Sequence, residues 1–261
     1  MKRIIIVTGA SSGIGREFAL QLARTRQCDE IWLMARRKDK LDGLAALLEA
    51  KARVVDVDLS GEQGVSRFAS LLADEAKRAG DGLVIDTLVN NAGFGTYGPF
   101  ADTDLARQLD MIGINVVSLT GLCHASLPFL GSGSRVINVA SLAGFIPLGN
   151  FAVYAATKAY VLSFSVALAA ELADSGVFVS TVCPGPVDTE FALVASNGAR
   201  ERVVDGKSPG AVVRHCLRGI ERGERVSIMA VKWKFKAFMS RFVGRYFFAR
   251  HSWINEKRPS R

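Results

Sequence analysis

Thr8-Gly9-Ala10-Ser11-Ser12-Gly13-Ile14-Gly15 comes directly after the apolar run Ile4 to Val7 and leads into a stretch of helical period that runs to Arg26. Glycines between a strand and a helix let backbone approach a bound pyrophosphate closely and aim free N–H groups at it, where the positive end of the helix also favours negative charge. The same residues would serve a plain tight helix entry, so the decision rests on the pattern of the chain beyond Arg26.

Beyond Arg26, short β-branched runs alternate with longer helical stretches. Strands are expected at Arg3 to Val7, Glu30 to Met34, Ala52 to Val57, Thr87 to Asn90, Ser134 to Val139, Phe178 to Val182 and Arg225 to Met229. Helices are expected at about Gly13 to Arg26, Asp39 to Ala50, Glu62 to Arg78, Asp104 to Leu130, Tyr154 to Ala173 and Gly210 to Glu221. This order predicts βαβ units and a parallel sheet, and the continuously apolar runs predict strands covered by helices on both faces. The polar stretch Ala195 to Pro209, with its Asn-Gly, Asp-Gly and Ser-Pro turn signals, is expected to be a loop of the length that serves as a lid.

With 49% hydrophobic and 22% charged residues among 261, the chain is neither a disordered tract, a collagen nor a disulfide miniprotein, and its length suits one α/β domain. Its charge is unevenly spread. Residues 232–261 hold nine basic side chains against one acid, Glu256, while residues 1–231 balance at 24 of each sign, so the tail carries the whole excess of +8. A neutral body supplies no track for nucleic acid, which is excluded as a partner. Cys28, Cys123, Cys183 and Cys216 lie far apart, as reduced thiols of a cytoplasmic protein would, and His124, His215 and His251 form no ligand pattern, so no metal is expected. Ile4 to Val7 is too short for a signal-peptide core, and no uncharged apolar stretch is expected to span a bilayer.

Several residues carry chemistry. The second strand ends in Arg36-Arg37-Lys38, where a ribose-binding carboxylate would otherwise stand, and guanidinium groups there suit a 2′-phosphate and thus NADP(H). A solvated basic loop would look the same. Asp58-Leu59 is placed to meet an adenine, and Asn90-Asn91-Ala92-Gly93 is small and amide-rich at the carboxyl edge of the sheet. Tyr154 and Lys158, four apart, share a helix face, and a nearby ammonium lowers a phenol pKa toward that of a proton shuttle. By spacing alone the pair also fits two ordinary surface side chains. Ser141 comes just after the strand Val136 to Val139, where its hydroxyl could bond a carbonyl oxygen.

Taken together, TGASSGIG at Thr8 to Gly15, NNAG at Asn90 to Gly93, Asn115, Ser141, Tyr154 with Lys158, and Pro184-Gly185-Pro186-Val187-Asp188-Thr189 closely resemble the short-chain dehydrogenase/reductase family, in its order and spacing, over residues 3 to about 230. The resemblance implies a Rossmann-type, doubly wound parallel sheet of about seven strands and hydride transfer on an alcohol or carbonyl. It implies Tyr154 as acid/base, Lys158 as its pKa partner and ribose ligand, Ser141 orienting the carbonyl, and Asn115 anchoring a relay water. Gly9, Ser11, Ser12, Gly13, Ile14, Gly15, Arg36, Arg37, Asp58, Leu59, Asn91, Ala92, Gly93, Tyr154, Lys158, Pro184, Gly185, Val187 and Thr189 would hold the cofactor. A homodimer or homotetramer built on the two long helices is expected.

Phe94, Tyr97, Leu142, Phe145, Leu148 and Phe191, with Phe100, Ile146 and Phe151 nearby, are expected to line the substrate pocket, suiting a lipid-like, steroid-like or aromatic carbonyl. Alternatives are a 3-oxoacyl thioester reductase and a nucleotide-sensing protein without turnover, the latter disfavoured by the intact Ser141, Tyr154 and Lys158. Domain limits are expected at 1–231 for the catalytic body, with a substrate loop at about 191–210, and 232–261 for a basic amphipathic extension. In that extension Phe235, Phe238, Met239, Phe242 and Tyr246 recur at spacings of three and four, as on one helical face. Docking on protein, by closing over the substrate pocket or packing on a partner subunit, is the expected use of that face, with an anionic membrane or an acidic carrier as the alternatives.

Overall fold

The computed structural model describes residues 1–48, 51–80, 82–200, 203 and 205–256. The expected end of the second helix at Ala50, three positions of the 191–210 loop, and the basic residues Lys257, Arg258 and Arg261 lie outside them.

In chain order the elements are β1 (Lys2–Thr8), α1 (Gly13–Thr25), β2 (Glu30–Ala35), α2 (Lys38–Ala45), β3 (Ala52–Asp56), α3 (Gly61–Arg78), β4 (Leu83–Asn90), α4 (Leu105–Ile112), α5 (Leu119–Ser126), β5 (Arg135–Val139), α6 (Ala152–Glu171), β6 (Phe178–Val182), α7 (Phe191–Ala195), α8 (Pro209–Glu221), β7 (Val226–Ser227), α9 (Val231–Met239) and α10 (Arg245–Asn255). The strands pair in parallel as one seven-stranded sheet in the order β3-β2-β1-β4-β5-β6-β7. This is the doubly wound Rossmann-type topology, and the order reverses between β1 and β4.

β1 shows why its run is apolar throughout. Ile4 and Ile6 enter the core layer that also holds Trp32, Phe68 and Val161, while Ile5 and Val7 enter the opposite layer with Phe18, Leu22 and Val213. All four are fully buried, so alternation along the strand selects between two dry layers, not between core and water. The layers in turn hold the carboxyl ends of β1, β4 and β5 side by side, and the loops leaving those ends build the site.

Differences from the sequence reading have physical causes. β4 begins four residues earlier than expected because Asp86, which interrupts the apolar run, is satisfied inside the sheet: Arg26 donates to it at 2.9 and 2.6 Å and Thr87 at 2.8 Å. The expected helix Asp104 to Leu130 is one rod in four pieces, α4, a π-helical turn at Gly113–Ser118, α5 and a 3₁₀ turn at Leu127–Phe129. Leu105–Phe129 and Ala152–Glu171, each of mean hydropathy 1.4, are long and apolar enough to cross a membrane, contrary to expectation. Arg107, Asp110 and Lys158 lie within these two segments, and Met111, Leu122, Val161 and Leu168 pack into the core beside the sheet. The C-terminal segment is two helices and not one, broken at 240–244. Its first helix begins at Val231 and sends Ala237 into the main core.

Candidate active site

The cofactor end is built by close backbone approaches. The Thr8 hydroxyl donates to the Val89 carbonyl oxygen at 3.2 Å and accepts from the Asn91 and Ala92 N–H groups at 3.0 Å each, locking the end of β1 to that of β4. The Asn91 amide donates to the carbonyl oxygens of Thr8 and Gly9 at 3.0 and 3.2 Å. Gly15 is required by packing, since a Cβ there would stand 2.3 Å from the Gly9 oxygen. Gly13 turns with φ of +53°, and a Cβ on it would lie 2.9 Å from the Thr189 methyl, so side chains in this turn would fill the space above the α1 N-terminus.

From this turn a cleft of about 820 Å³ runs past Arg36, Arg37 and Asp58 to Ser141, Tyr154 and Lys158. Every residue expected to hold the cofactor lines it except Gly15. Arg37 is the more engaged of the two arginines: its guanidinium reaches the Ser12 hydroxyl at 2.9 Å, the Ser11 hydroxyl at 3.1 Å and the Glu190 carboxylate at 2.7 Å. That bond from Arg37, opposed by burial, holds the Glu190 carboxyl below its usual range. Arg36 is exposed and acts on Asp58 through space only, helping two bonds from Ser60 to overcome burial and keep that carboxyl low. Such a cradle, with small turns, a helix N-terminus and two guanidinium groups, fits a dinucleotide.

At the chemical end, α6 carries Tyr154 and Lys158 on one face, and β5 delivers Ser141 opposite. The Ser141 side chain caps the short turn Leu142–Gly144 by accepting from the Ala143 N–H at 3.1 Å, which orients its oxygen. Tyr154 stacks on Phe151 with ring centroids 4.1 Å apart and touches Phe191 at 5.4 Å, while Tyr97 meets Phe151 edge-on at 4.7 Å. Burial in this aromatic box pushes the phenol pKa up, against the Ser141 hydrogen bond. The Lys158 ammonium donates to the Val139 carbonyl oxygen at 2.8 Å and sits 5.7 Å from the centre of the Tyr154 ring. Burial, partly opposed by Cys183, lowers its pKa to about 8. The expected lowering of the tyrosine pKa by lysine is therefore reversed in the protein alone. At neutral pH the site holds a phenol ready to donate a proton.

Asn115 stands behind Gly93, where a Cβ on that glycine would lie 2.5 Å from its side-chain oxygen. The π-helical turn directs it inward, where its amide donates to the Phe94 carbonyl oxygen at 3.0 Å and the Thr157 hydroxyl at 3.1 Å, and its own oxygen accepts from the Phe94 N–H at 3.2 Å. It is absent from the cleft wall and serves to clip the segment after Gly93 against α6. The pocket residues Phe94, Tyr97, Leu142, Phe145, Leu148 and Phe191 all line the cleft, with Ile146 and Phe151. Phe100 does not, and is 63% exposed.

Two contributions escaped the sequence reading. Arg107 on α4 donates to the Thr96 hydroxyl at 3.2 Å and the Val194 carbonyl oxygen at 2.8 Å, tying the 94–98 loop to α7 over the pocket. Trp233, Lys236 and Ala237 from α9 also line the cleft, so the basic tail forms one of its walls. The signal for the wall was the i, i+4 spacing of Trp233 and Ala237, hidden by a more conspicuous aromatic repeat on the same helix. Among the described residues no cluster of histidine, cysteine and carboxylate side chains could hold a metal.

Comparisons with known proteins agree with this geometry. The family profile described as short chain dehydrogenase matches residues 3–198. Sulfoacetaldehyde reductase 2 of Chromohalobacter salexigens is 37% identical over 207 residues, covering 76% of this chain and 78% of that protein. A short-chain dehydrogenase from Sphingobium yanoikuyae, solved in complex with NADPH, superposes with a TM-score of 0.78 at 29% identity, covering 92% of this chain and 93% of that one. The bulky-bulky ketone specific alcohol dehydrogenase of Comamonas testosteroni superposes with a TM-score of 0.73 at 25% identity, covering 93% and 92% respectively.

Proposed function

This chain belongs to the short-chain dehydrogenase/reductase family, oxidoreductases that act on carbonyl and alcohol groups with a nicotinamide cofactor, and from that premise we propose that it is an NADPH-dependent reductase of apolar, bulky carbonyl compounds. The observation that carries the proposal is the buried Tyr154 side chain, boxed by Tyr97, Phe151 and Phe191, in the same cleft as Ser141, Lys158, the glycine turn and the two arginines.

When bound, the nicotinamide supplies the hydride. Ser141 and Tyr154 would hold the substrate oxygen by hydrogen bonds, and Tyr154 would donate its proton to that oxygen as negative charge develops there. A high phenol pKa is suited to that direction, because the group is fully protonated before the step. Lys158, which donates to the Val139 carbonyl oxygen, would contact the ribose and stabilise the phenolate left behind. Val187 and Thr189 would contact the carboxamide. Arg36 and Arg37 support the preference for a 2′-phosphate.

A second reading has one specific observation in its favour. Lys236 and Arg200 line the same cleft as the aromatic residues, which suits a carbonyl substrate carrying an anionic group, such as a 3-oxoacyl thioester. Oxidation of NADPH with a panel of bulky aryl ketones, small aldehydes and 3-oxoacyl thioesters tests both. Turnover of the ketones alone supports the first reading, turnover of the thioesters alone the second, and turnover of none would remove both.

A further inference from the structure

We propose that α9 and α10 form a platform that docks this enzyme on an anionic lipid bilayer surface. The inner side of the pair is fixed to the body. Ala237 is in the main core, the Ser252 hydroxyl donates to the Gly149 carbonyl oxygen at 3.1 Å, and the Asn150 amide donates to the Trp253 carbonyl oxygen at 3.4 Å. A Cβ on Gly149 would lie 2.9 Å from the α10 backbone, so the helices sit at closest approach and their outward face is set by the fold.

That outward face is aromatic. Val231, Phe235 and Phe238 share one face of α9 by helical spacing, Phe242 in the turn packs on Phe238 with ring centroids 5.1 Å apart, and Tyr246 and Phe247 are exposed on α10. All six are between 54% and 82% exposed. Of the docking on protein expected for these rings, the part on their own chain is not made, because the body is met by the other side of α9; docking on a second copy is an outcome of the test below. Exposed apolar surface of this extent marks an interaction site.

Charge selects the occupant. Lys232, Lys234, Arg241, Arg245 and Arg250 are exposed beside the rings, and neither helix contains an acid. A second copy seated here would set one basic surface on another. Core positions of protein interfaces are also poor in lysine. Rings flanked by lysine and arginine are instead the composition of helices that lie in the headgroup boundary, where anionic lipids attract the cations and the rings enter the acyl margin. Since Trp233 and Ala237 of the same helix wall the cleft, a docked enzyme would hold its substrate pocket beside the bilayer. Docking itself does not depend on which carbonyl is reduced.

The test is co-sedimentation of the full-length protein with vesicles of phosphatidylglycerol and phosphatidylcholine, and with vesicles of phosphatidylcholine alone. Binding to the anionic vesicles is expected to be more than tenfold stronger and to weaken as salt rises. The Phe235→Ser/Phe238→Ser/Phe242→Ser variant, and separately Lys234→Glu/Arg241→Glu/Arg245→Glu, should each lose at least tenfold in vesicle binding while keeping wild-type NADPH binding. Phe242→Gln, in the turn between the helices, serves if the triple variant does not fold, with a loss of several-fold. Wild-type protein that stays in the supernatant with anionic vesicles at low salt would overturn the proposal, as would serine and glutamine variants that bind like wild type. A serine variant that instead falls to a smaller oligomer, from a wild type that ignores vesicles, would assign the face to a second copy and overturn it equally.

Discussion

Arg37 and Glu190 form a 2.7 Å ion pair that joins the turn after β2 to the start of α7, on the wall of the cofactor cleft. The pair occupies the guanidinium that lies nearest Ser11 and Ser12, while Arg36 stands exposed and, among the described residues, acts on Asp58 through space. A 2′-phosphate would thus find Arg36 free and would compete with Glu190 for Arg37.

Arg36→Ala should erode the NADPH preference about tenfold or more, since one charge-assisted contact is worth roughly 1.5 to 3 kcal/mol. Glu190→Gln should move the preference the other way, by releasing Arg37. The ratio of kcat/KM with NADPH to that with NADH measures both. A wild-type ratio near one would defeat the assignment of the 2′-phosphate to this turn.

Tyr154→Phe keeps the ring stacked on Phe151 and removes only the hydroxyl. Reduction should fall by about three orders of magnitude, toward the upper range of general-acid contributions. NADPH affinity should stay within a few-fold by fluorescence titration. Lys158→Ala should lose both, if its ammonium serves the phenolate and the ribose as proposed. Substantial turnover by the phenylalanine variant would take Tyr154 out of the mechanism.

Lys158 also makes the stability depend on pH. Its pKa falls from 10.5 in the unfolded chain to about 8 in the fold, so between these values the unfolded chain binds more protons and stability rises with pH. Below about 8 the ammonium is buried at full cost. Lys158→Met should therefore raise Tm at pH 7, and the gain should shrink toward pH 10. A gain independent of pH would show that the lysine does not titrate in this window.

How far the sequence could be read depends on which contacts are local. The glycine turn, Ser141, and Tyr154 with Lys158 are local in spacing and land in one cleft, because parallel strands bring the carboxyl ends of β1, β4 and β5 to the same edge. The early start of β4 was hidden by Asp86, whose partner Arg26 is 60 residues away. Asn115 turned inward through a π-helical turn that no period in the sequence marks. In the tail, the aromatic repeat is real but faces away from the body, and periodicity alone does not tell which side of a helix meets its own chain.

Leu105, Leu109 and Ile112 recur at helical spacing on α4 and are exposed, as are Val117 farther along the same rod and Tyr160 and Val166 on α6. This face is apolar without the basic flank of α9 and α10, and it suits a second copy. A homodimer or homotetramer is expected by sedimentation at micromolar concentration. Leu109→Glu/Val166→Glu should give a monomer, and a wild-type monomer would contradict the assignment.

Trp233 is the main part of the wall that α9 lends to the pocket. A Cβ on Gly185 would stand 2.7 Å from the Trp233 indole nitrogen and 3.2 Å from a Leu142 methyl, so the indole lies directly on the chain between β6 and α7. Any residue larger than glycine would push it away. Trp233→Ala leaves Gly185 and Leu142 facing open space in the cleft, and should shift the ratio of kcat/KM for bulky over small ketones by about tenfold, in the range that a few lost apolar contacts supply. Because the indole is only half-buried, the loss of stability should stay below the roughly 3 kcal/mol or more expected for a tryptophan deleted from a core. Gly185→Ala should act in the same direction through displacement of the indole, and it should add little in the Trp233→Ala background, where there is nothing left to displace. Equal selectivity in wild type and Trp233→Ala would mean that α9 closes the cleft without touching the substrate.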